Sequence, residues 1–404
     1  MSETDSDFDP SKAGFVAKDD GWPVWPSIEW VLSKGRMIPG IDDLVDGLAH
    51  SLVERGAPLS RLRLSMRTLH PLITARSAIW QRDGEAQKQI ETAHGLEQRP
   101  SHAGSPLAII GSTRRPFRRN LQSSLTSDDH QVLHELAAEG ATDYFGLPLN
   151  FSSGRNAVLV FVTDRMGGFV DSDLQKFEAL TSILAPVVEV QSARDVALAL
   201  ADTYIGPRTG RRVLDGQITR GDIEQVQAAI WFSDIRGWTE LNNTEPPDVV
   251  VDHANRYFDL VAAAVEANGG EVLKFIGDGV LAIFPTQGPE DERNVCQNAL
   301  ESARQAMRGG DGNAGPVPLS FGIGLHFGDV LYGNVGSEKR LDFTVFGPAV
   351  NLAARVESEC AGLGQSLLFT RAFAERISDA VVVVANQSLK GFDGPREILT
   401  LGET

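Results

Sequence analysis

A mixed α/β fold in two domains follows from three features of the chain. AAIWFSDIRGWTEL (228–241) runs from an apolar strand into an aspartate and then into the start of a helix. GGEVLKFIGDGVLAIFP (269–285) is a pair of alternating runs joined through Gly277-Asp278-Gly279, residues that tolerate the positive φ of tight hairpin turns. Upstream, DYFGLPLNFSSGRNAVLVFVTD (143–164) reads as strand, Ser-Ser-Gly turn and strand, and it feeds a long helix opening near Asp171.

The 404 residues suffice for two or three domains with sizeable cores, and 42% hydrophobic with 23% charged residues is ordinary for a globular chain. A net charge of -17 argues against a protein that coats nucleic acid or anionic membrane. It leaves a nucleotide substrate open, because local basic residues and metal ions can reverse the field at one site. No apolar run approaches the ~18 residues of a membrane span, and MSETDSDFDPSKAG lacks the regions of a signal peptide, so a cytoplasmic protein is expected. Cys296 and Cys360 lack C-x-x-C spacing and read as neutral, buried thiols.

From the N-terminus, residues 1 to about 20 read as a solvated acidic tail. Trp22, Trp25 and Trp30 should pack onto the first domain or a dimer partner, so that residues 1–25 form a tail and Trp-rich lead-in. IDDLVDGLAHSLVER (41–55) has apolar residues at helical spacing. Strands are expected in LRLSMRTLHP and SAIWQRDGE, and Arg114, Arg115, Arg118 and Arg119 in a solvated basic loop. The long helix continues to Ile205-Gly206-Pro207, where proline removes a backbone donor and breaks it. A connecting helix pair in a parallel dimer is the preferred reading of residues 191–222. Domains are therefore expected at 26–190 and 223–404.

The second of these carries the chemistry. Taken singly, Asp234 is better read as a helix cap and Asp278 as a turn residue. The order FSDIRGWT, KFIGDGVLAIF, GNVGS and FTVFGPAVNLAARVE over about the last 180 residues reverses that. This set resembles the catalytic domain of class III nucleotidyl cyclases, with a class IIIb-like threonine at position 344; bicarbonate response occurs in that subgroup. The resemblance implies a ferredoxin-like βαββαβ catalytic domain, and residues 143–190 resemble the second half of a GAF domain, an α/β sensor module. A PAS-type fold is the alternative for that first domain.

What the cyclase resemblance implies is a homodimeric adenylate cyclase converting ATP to 3',5'-cyclic AMP and pyrophosphate. Asp234 and Asp278, helped by the Ile235 carbonyl, would hold two Mg2+ or Mn2+ ions per site. Gly237, Trp238 and Thr239 would cradle phosphates at a helix start, with Trp238 in place of the usual phenylalanine. Asn351 would orient the ribose and Arg355 stabilise charge on the α-phosphate, the two sharing one helix face. Pro348 replaces a usual acidic or amide residue. Lys274 and Thr344 would read the base, since lysine donates to adenine N1 and threonine accepts from the 6-amino group. Lys390 matches a triphosphate-binding lysine of the family, and His326 reads as a packed strand residue. A guanylate cyclase, or a non-catalytic nucleotide or ligand sensor, is the competing expectation. The input to the first domain, a small molecule or a protein, is not readable.

Overall fold

The structure, a computed structural model, describes residues 21–84, 88–95, 103–311 and 317–402, so the acidic tail expected over residues 1 to about 20 lies outside the described residues. The chain divides into two compact units, Met1–Leu200 and Ala201–Thr404.

In the first unit, helices α1 (Trp25–Ser33) and α2 (Ile41–Val53) precede strands β1 (Arg61–Arg67), β2 (Ile73–Gln81) and β3 (Lys88–Ala93). Then come α3 (Pro106–Thr113), β4 (Phe117–Asn120), α4 (Gln131–Ala138), β5 (Asp143–Asn150), β6 (Asn156–Thr163) and the long helix α5 (Asp171–Ile205). The strands form one antiparallel sheet in the order β3-β2-β1-β6-β5-β4. Helix α2 forms because Ile41, Leu44, Val45, Leu48 and Leu52 fall on one stripe, with Asp42 and Asp43 at its positive end. That stripe packs on Leu62, Leu64 and Phe161 of the sheet and belongs to one core with Phe177 and Leu180 of α5. Trp22 is buried in the same core, and its indole N–H donates to Asp173 at 2.8 Å. The opposite face is covered by Ile110 of α3 and by Leu133 and Leu136 of α4.

The basic loop expected around Arg118 and Arg119 is corrected by the structure. Both lie on β4, where Arg118 pairs at 2.7 Å with the fully buried carboxylate of Asp143 and Arg119 pairs at 2.7 Å with Asp129. A carboxylate on the neighbouring strand compensates a guanidinium that would otherwise belong in water.

Helix α5 runs through Pro186 and stops at Ile205, as Gly206 and Pro207 dictate, and α6 (Pro207–Leu214) follows. The second unit continues with β7 (Ile223–Ile235), α7 (Trp238–Thr244), α8 (Pro247–Ala267), β8 (Glu271–Ile276), β9 (Gly279–Pro285), α9 (Glu292–Asp311) and β10 (Phe321–Ser337). After these come β11 (Arg340–Phe346), α10 (Pro348–Gly362), β12 (Leu367–Thr370), α11 (Arg371–Ala374), β13 (Val381–Ser388) and β14 (Pro395–Leu401). The run β7-α8-β8-β9-α9-β10 is a βαββαβ unit with sheet order β10-β7-β9-β8, the ferredoxin-like arrangement expected. Period-two alternation divides β7: Ala229 and Trp231 face α8 and α9, while Ala228 and Ile230 face α10.

One buried polar knot ties α6 to this sheet. Glu271, at the start of β8, accepts from the Thr209 N–H at 3.1 Å, from the Thr209 hydroxyl at 2.6 Å and from the Tyr332 hydroxyl at 2.9 Å.

Candidate active site

Strand pairing brings the two expected acids together. Asp234 stands opposite Gly279 in the β7·β9 ladder, and Asp278 occupies the two-residue turn with Gly277, so both carboxylates sit at one sheet end. Gly277 has φ 65°, a value glycine adopts without penalty. A Cβ at Gly279 would stand 3.0 Å from the Ser233 carbonyl and 3.4 Å from Asp234 Oδ1, so glycine there leaves room beside the acid.

Burial, then the charge of Asp278, holds the Asp234 carboxyl well above the usual carboxylate range. Asp234 Oδ1 is buried without a hydrogen-bond partner. A pair of close carboxylates, one with an orphaned oxygen, next to the carbonyl end of β7 at Ile235, is an all-oxygen donor set of the kind hard divalent cations take. Among the described residues no group of three His, Cys, Asp or Glu side chains has metal-binding geometry, so any cation here needs oxygens from backbone, water or substrate as well.

The sequence reading missed a third acid and a base at this end. Glu357 of α10 is pushed up to about 7 by burial and by Asp234, and Arg236 partly offsets this. The Arg236 guanidinium donates to the Gln365 carbonyl and leaves Nε buried without a partner. The signal was in the glycines of β10: a Cβ at Gly322 would meet Glu357 Oε1 at 2.7 Å, and one at Gly324 would meet the Ala353 carbonyl at 2.5 Å. These positions are bare so that α10 can lie against the sheet.

An acid whose pKa is higher folded than unfolded binds more protons in the folded state, so stability falls as pH rises between the two values. Metal-free protein is therefore expected to lose stability as pH climbs from about 4.5 to about 7. Denaturant midpoints measured in chelator across this range check it, and Glu357→Gln should flatten the profile. A midpoint that rises over the same interval would contradict the arrangement.

A separate cavity of about 470 Å³ gathers Lys274, Thr344 and Asn351, together with Phe232, Leu281 and Asp342. Neither Asp234 nor Asp278 lines it. Lys274 forms an ion pair with Asp342, also absent from the sequence reading, since 68 residues separate the two. Thr344 is buried. Asn351 and Arg355 are exposed on one face of α10, whose first turn begins with Pro348.

The turn after β7 places Gly237 at φ 69° as the N-cap of α7, without a side-chain cap, so its first N–H groups are left to other partners. Trp238 is half-buried against the core and Thr239 is exposed. Lys390 is exposed between β13 and β14 and does not line the cavity. His326 is buried, 2.8 Å from the Thr370 hydroxyl, and burial lowers it to about 4. Cys296 and Cys360 are buried free thiols, both pushed up to about 12 by burial. No described helix is long and apolar enough to cross a membrane.

Residues 222–373 match the family model of the adenylate and guanylate cyclase catalytic domain. An adenylate cyclase of Anabaena cylindrica is 32% identical over 152 residues, 37% of this chain and 30% of that protein. Adenylate cyclase 1 of Rhizobium meliloti (strain 1021) is 30% identical over 289 residues, 65% of this chain and 43% of that protein. The chain thus spans less than half the length of these curated relatives. A solved bacterial light-regulated adenylyl cyclase is 31% identical with a TM-score of 0.38, covering 44% of this chain and 91% of that one.

Proposed function

We propose, from the premise that residues 222–373 are a class III adenylate and guanylate cyclase catalytic domain, that this chain is an adenylate cyclase whose active sites form between two copies of itself. The observation that carries this reading is the separation of the two half-sites. Lys274, Thr344 and Asn351 share a cavity from which Asp234 and Asp278 are excluded. A twofold dimer packing the catalytic domains head to tail sets the acids of one copy against the cavity of the other, and a twofold axis makes two equal sites.

In this reading Asp234, Asp278 and the Ile235 carbonyl hold Mg2+ or Mn2+. Divalent cations held there would supply activation of the ribose 3'-hydroxyl and neutralisation of charge on the leaving pyrophosphate. Gly237, Trp238 and Thr239 present backbone N–H groups to the β- and γ-phosphates. Asn351 orients the ribose, and Arg355 meets charge that builds on the α-phosphate. Lys390 contributes a further contact to the triphosphate. Lys274 donates to adenine N1 and Thr344 accepts from its amino group, with Asp342 holding the Lys274 ammonium toward the cavity before substrate arrives. The first unit, with its six-stranded antiparallel sheet covered by helices on both faces, serves as a GAF-like input module of a cytoplasmic enzyme.

Incubating purified protein with ATP or GTP plus Mg2+ or Mn2+ and identifying the product by mass tests this. Cyclic AMP with a higher kcat/KM for ATP is the expected result. Predominant cyclic GMP would establish the guanylate reading, and no product from either nucleotide would favour a nucleotide-binding sensor.

Base choice can be probed further. Lys274→Glu with Thr344→Cys exchanges a donor for an acceptor at the base edge and should shift the ATP-to-GTP ratio of kcat/KM toward GTP by at least tenfold, about 1.4 kcal/mol. The substituted glutamate would face Asp342 as a like charge, so the shift should be larger when Asp342→Asn is added. An unchanged ratio in both variants would mean that other residues read the base.

A further inference from the structure

The second face of the sheet in the first unit is largely apolar, with two arginines of β1 set into it. On β1, Leu62, Leu64 and Met66 point into the main core. Arg61, Arg63 and Ser65 alternate with them and stand opposite Val162, Val160 and Val158 of β6. Helices α3 and α4 cover this face and leave a cavity of about 180 Å³, lined by Arg61, Arg63, Tyr144 and His130 and by apolar side chains that include Val132 and Leu136.

Arg63 is a poorly compensated cation. Its Nη2 donates to Ser77 at 3.1 Å, its Nε is buried without a partner, and no carboxylate among the described residues forms an ion pair with it. Burial accordingly pushes the guanidinium below the usual arginine range. A guanidinium carries five N–H donors, and this half-buried one has its buried Nε left without an acceptor. The rest of the lining contains no carboxylate. Arg61 adds a second positive charge, its guanidinium 3.7 Å from Glu139. The Tyr144 hydroxyl makes no hydrogen bond to another described residue although the side chain is 4% exposed. His130 Nδ1 accepts from the Val132 N–H at 3.2 Å at the start of α4, which leaves its Nε2 as the protonated nitrogen. Ser105 likewise caps the start of α3, so two positive helix ends border the cavity.

We propose that this cavity binds a small organic monocarboxylate, its carboxylate paired with Arg63 and its apolar body lodged against Val132, Leu136, Val160 and Val162. One planar guanidinium matches one carboxylate in a two-pronged pair. At ~30 Å³ per water the space equals about six waters, enough for a carboxylic acid of a few carbons or one ring and too little for a nucleotide. The predominantly apolar walls disfavour inorganic phosphate, which needs donors on all sides.

The test is made on the full chain by calorimetric titration and thermal unfolding with isovalerate and benzoate, with benzamide as the uncharged counterpart of benzoate and inorganic phosphate as the bare oxyanion. At millimolar concentration at least one carboxylate should bind and raise Tm, and benzamide and phosphate should not. Arg63→Met should abolish the shift without lowering the ligand-free Tm, because it removes a half-buried charge that has no ion-pair partner among the described residues. Should that variant fail to fold, Arg63→Lys, which keeps charge but not the fork, should weaken binding at least tenfold. Asp278→Ala should leave the shift intact, which separates this site from the catalytic reading. Absence of any carboxylate effect, an equal effect of benzamide or phosphate, or full binding by an Arg63 variant would each overturn the proposal.

Discussion

Asp278→Ala should reduce cyclic nucleotide formation more than a hundredfold, at least about 2.7 kcal/mol in barrier, in a protein that remains folded. The alanine removes one of two carboxylates that the β7·β9 register sets side by side, and a single acid cannot hold two cations in register. Folding should survive, because the change also removes the charge that raises Asp234. In chelator the variant should therefore be at least as stable as the parent at neutral pH. Circular dichroism and denaturant midpoints verify that, and product mass measures turnover. Retention of more than a tenth of the parent rate in a folded variant would remove Asp278 from the metal site.

The second large effect is a gain. Arg355→Ala and Asp278→Ala chains should each be inactive, and mixing them should restore activity. In a heterodimer one site takes its acids from the Arg355 variant and its arginine from the Asp278 variant, and that site is intact. Random exchange makes about half the dimers mixed, each with one working site, so recovery should approach roughly a quarter of the parent rate. If subunit exchange is demonstrated and no activity returns, each chain builds its site alone, or the separation of acids from the Lys274 cavity has another meaning.

The sequence made much of the catalytic unit legible because its information there is local. A strand running into Asp234 and a Gly-Asp-Gly turn are contiguous signals, and the ordered motifs of the cyclase resemblance single out Asn351 and Arg355, which helical spacing sets on one face. What escaped were partners distant in the chain. Asp342 reads as one charged strand residue until the fold sets it against Lys274. Arg118 and Arg119 look like solvent-seeking charges until β5 supplies Asp143 and the turn after β4 supplies Asp129. Strand β10 was visible only as a strand residue at His326 and, further on, the motif GNVGS. Its glycines weaken strand propensity, yet it runs unbroken from Phe321 to Ser337 because Gly322 and Gly324 make room for α10. Arg63 escaped for the opposite reason: an arginine on an alternating strand normally faces water, and only the covering helices reveal that this one is half-buried beside a cavity.

The knot of Thr209, Glu271 and Tyr332 bears on where the catalytic unit can be cut free. A fragment begun near residue 222, where the βαββαβ strands start, loses Thr209 and with it two of the three donors that satisfy Glu271. Glu271, 4% exposed in the intact chain, then keeps the Tyr332 hydroxyl as its remaining side-chain donor, and each donor that is lost should destabilise the fold by roughly 1 to 3 kcal/mol. The strand that suffers is β8, on which Glu271 lies three residues before Lys274. Trimming the connector should therefore loosen the register of Lys274 itself, and a fragment that begins at Ala201 should keep that strand pinned.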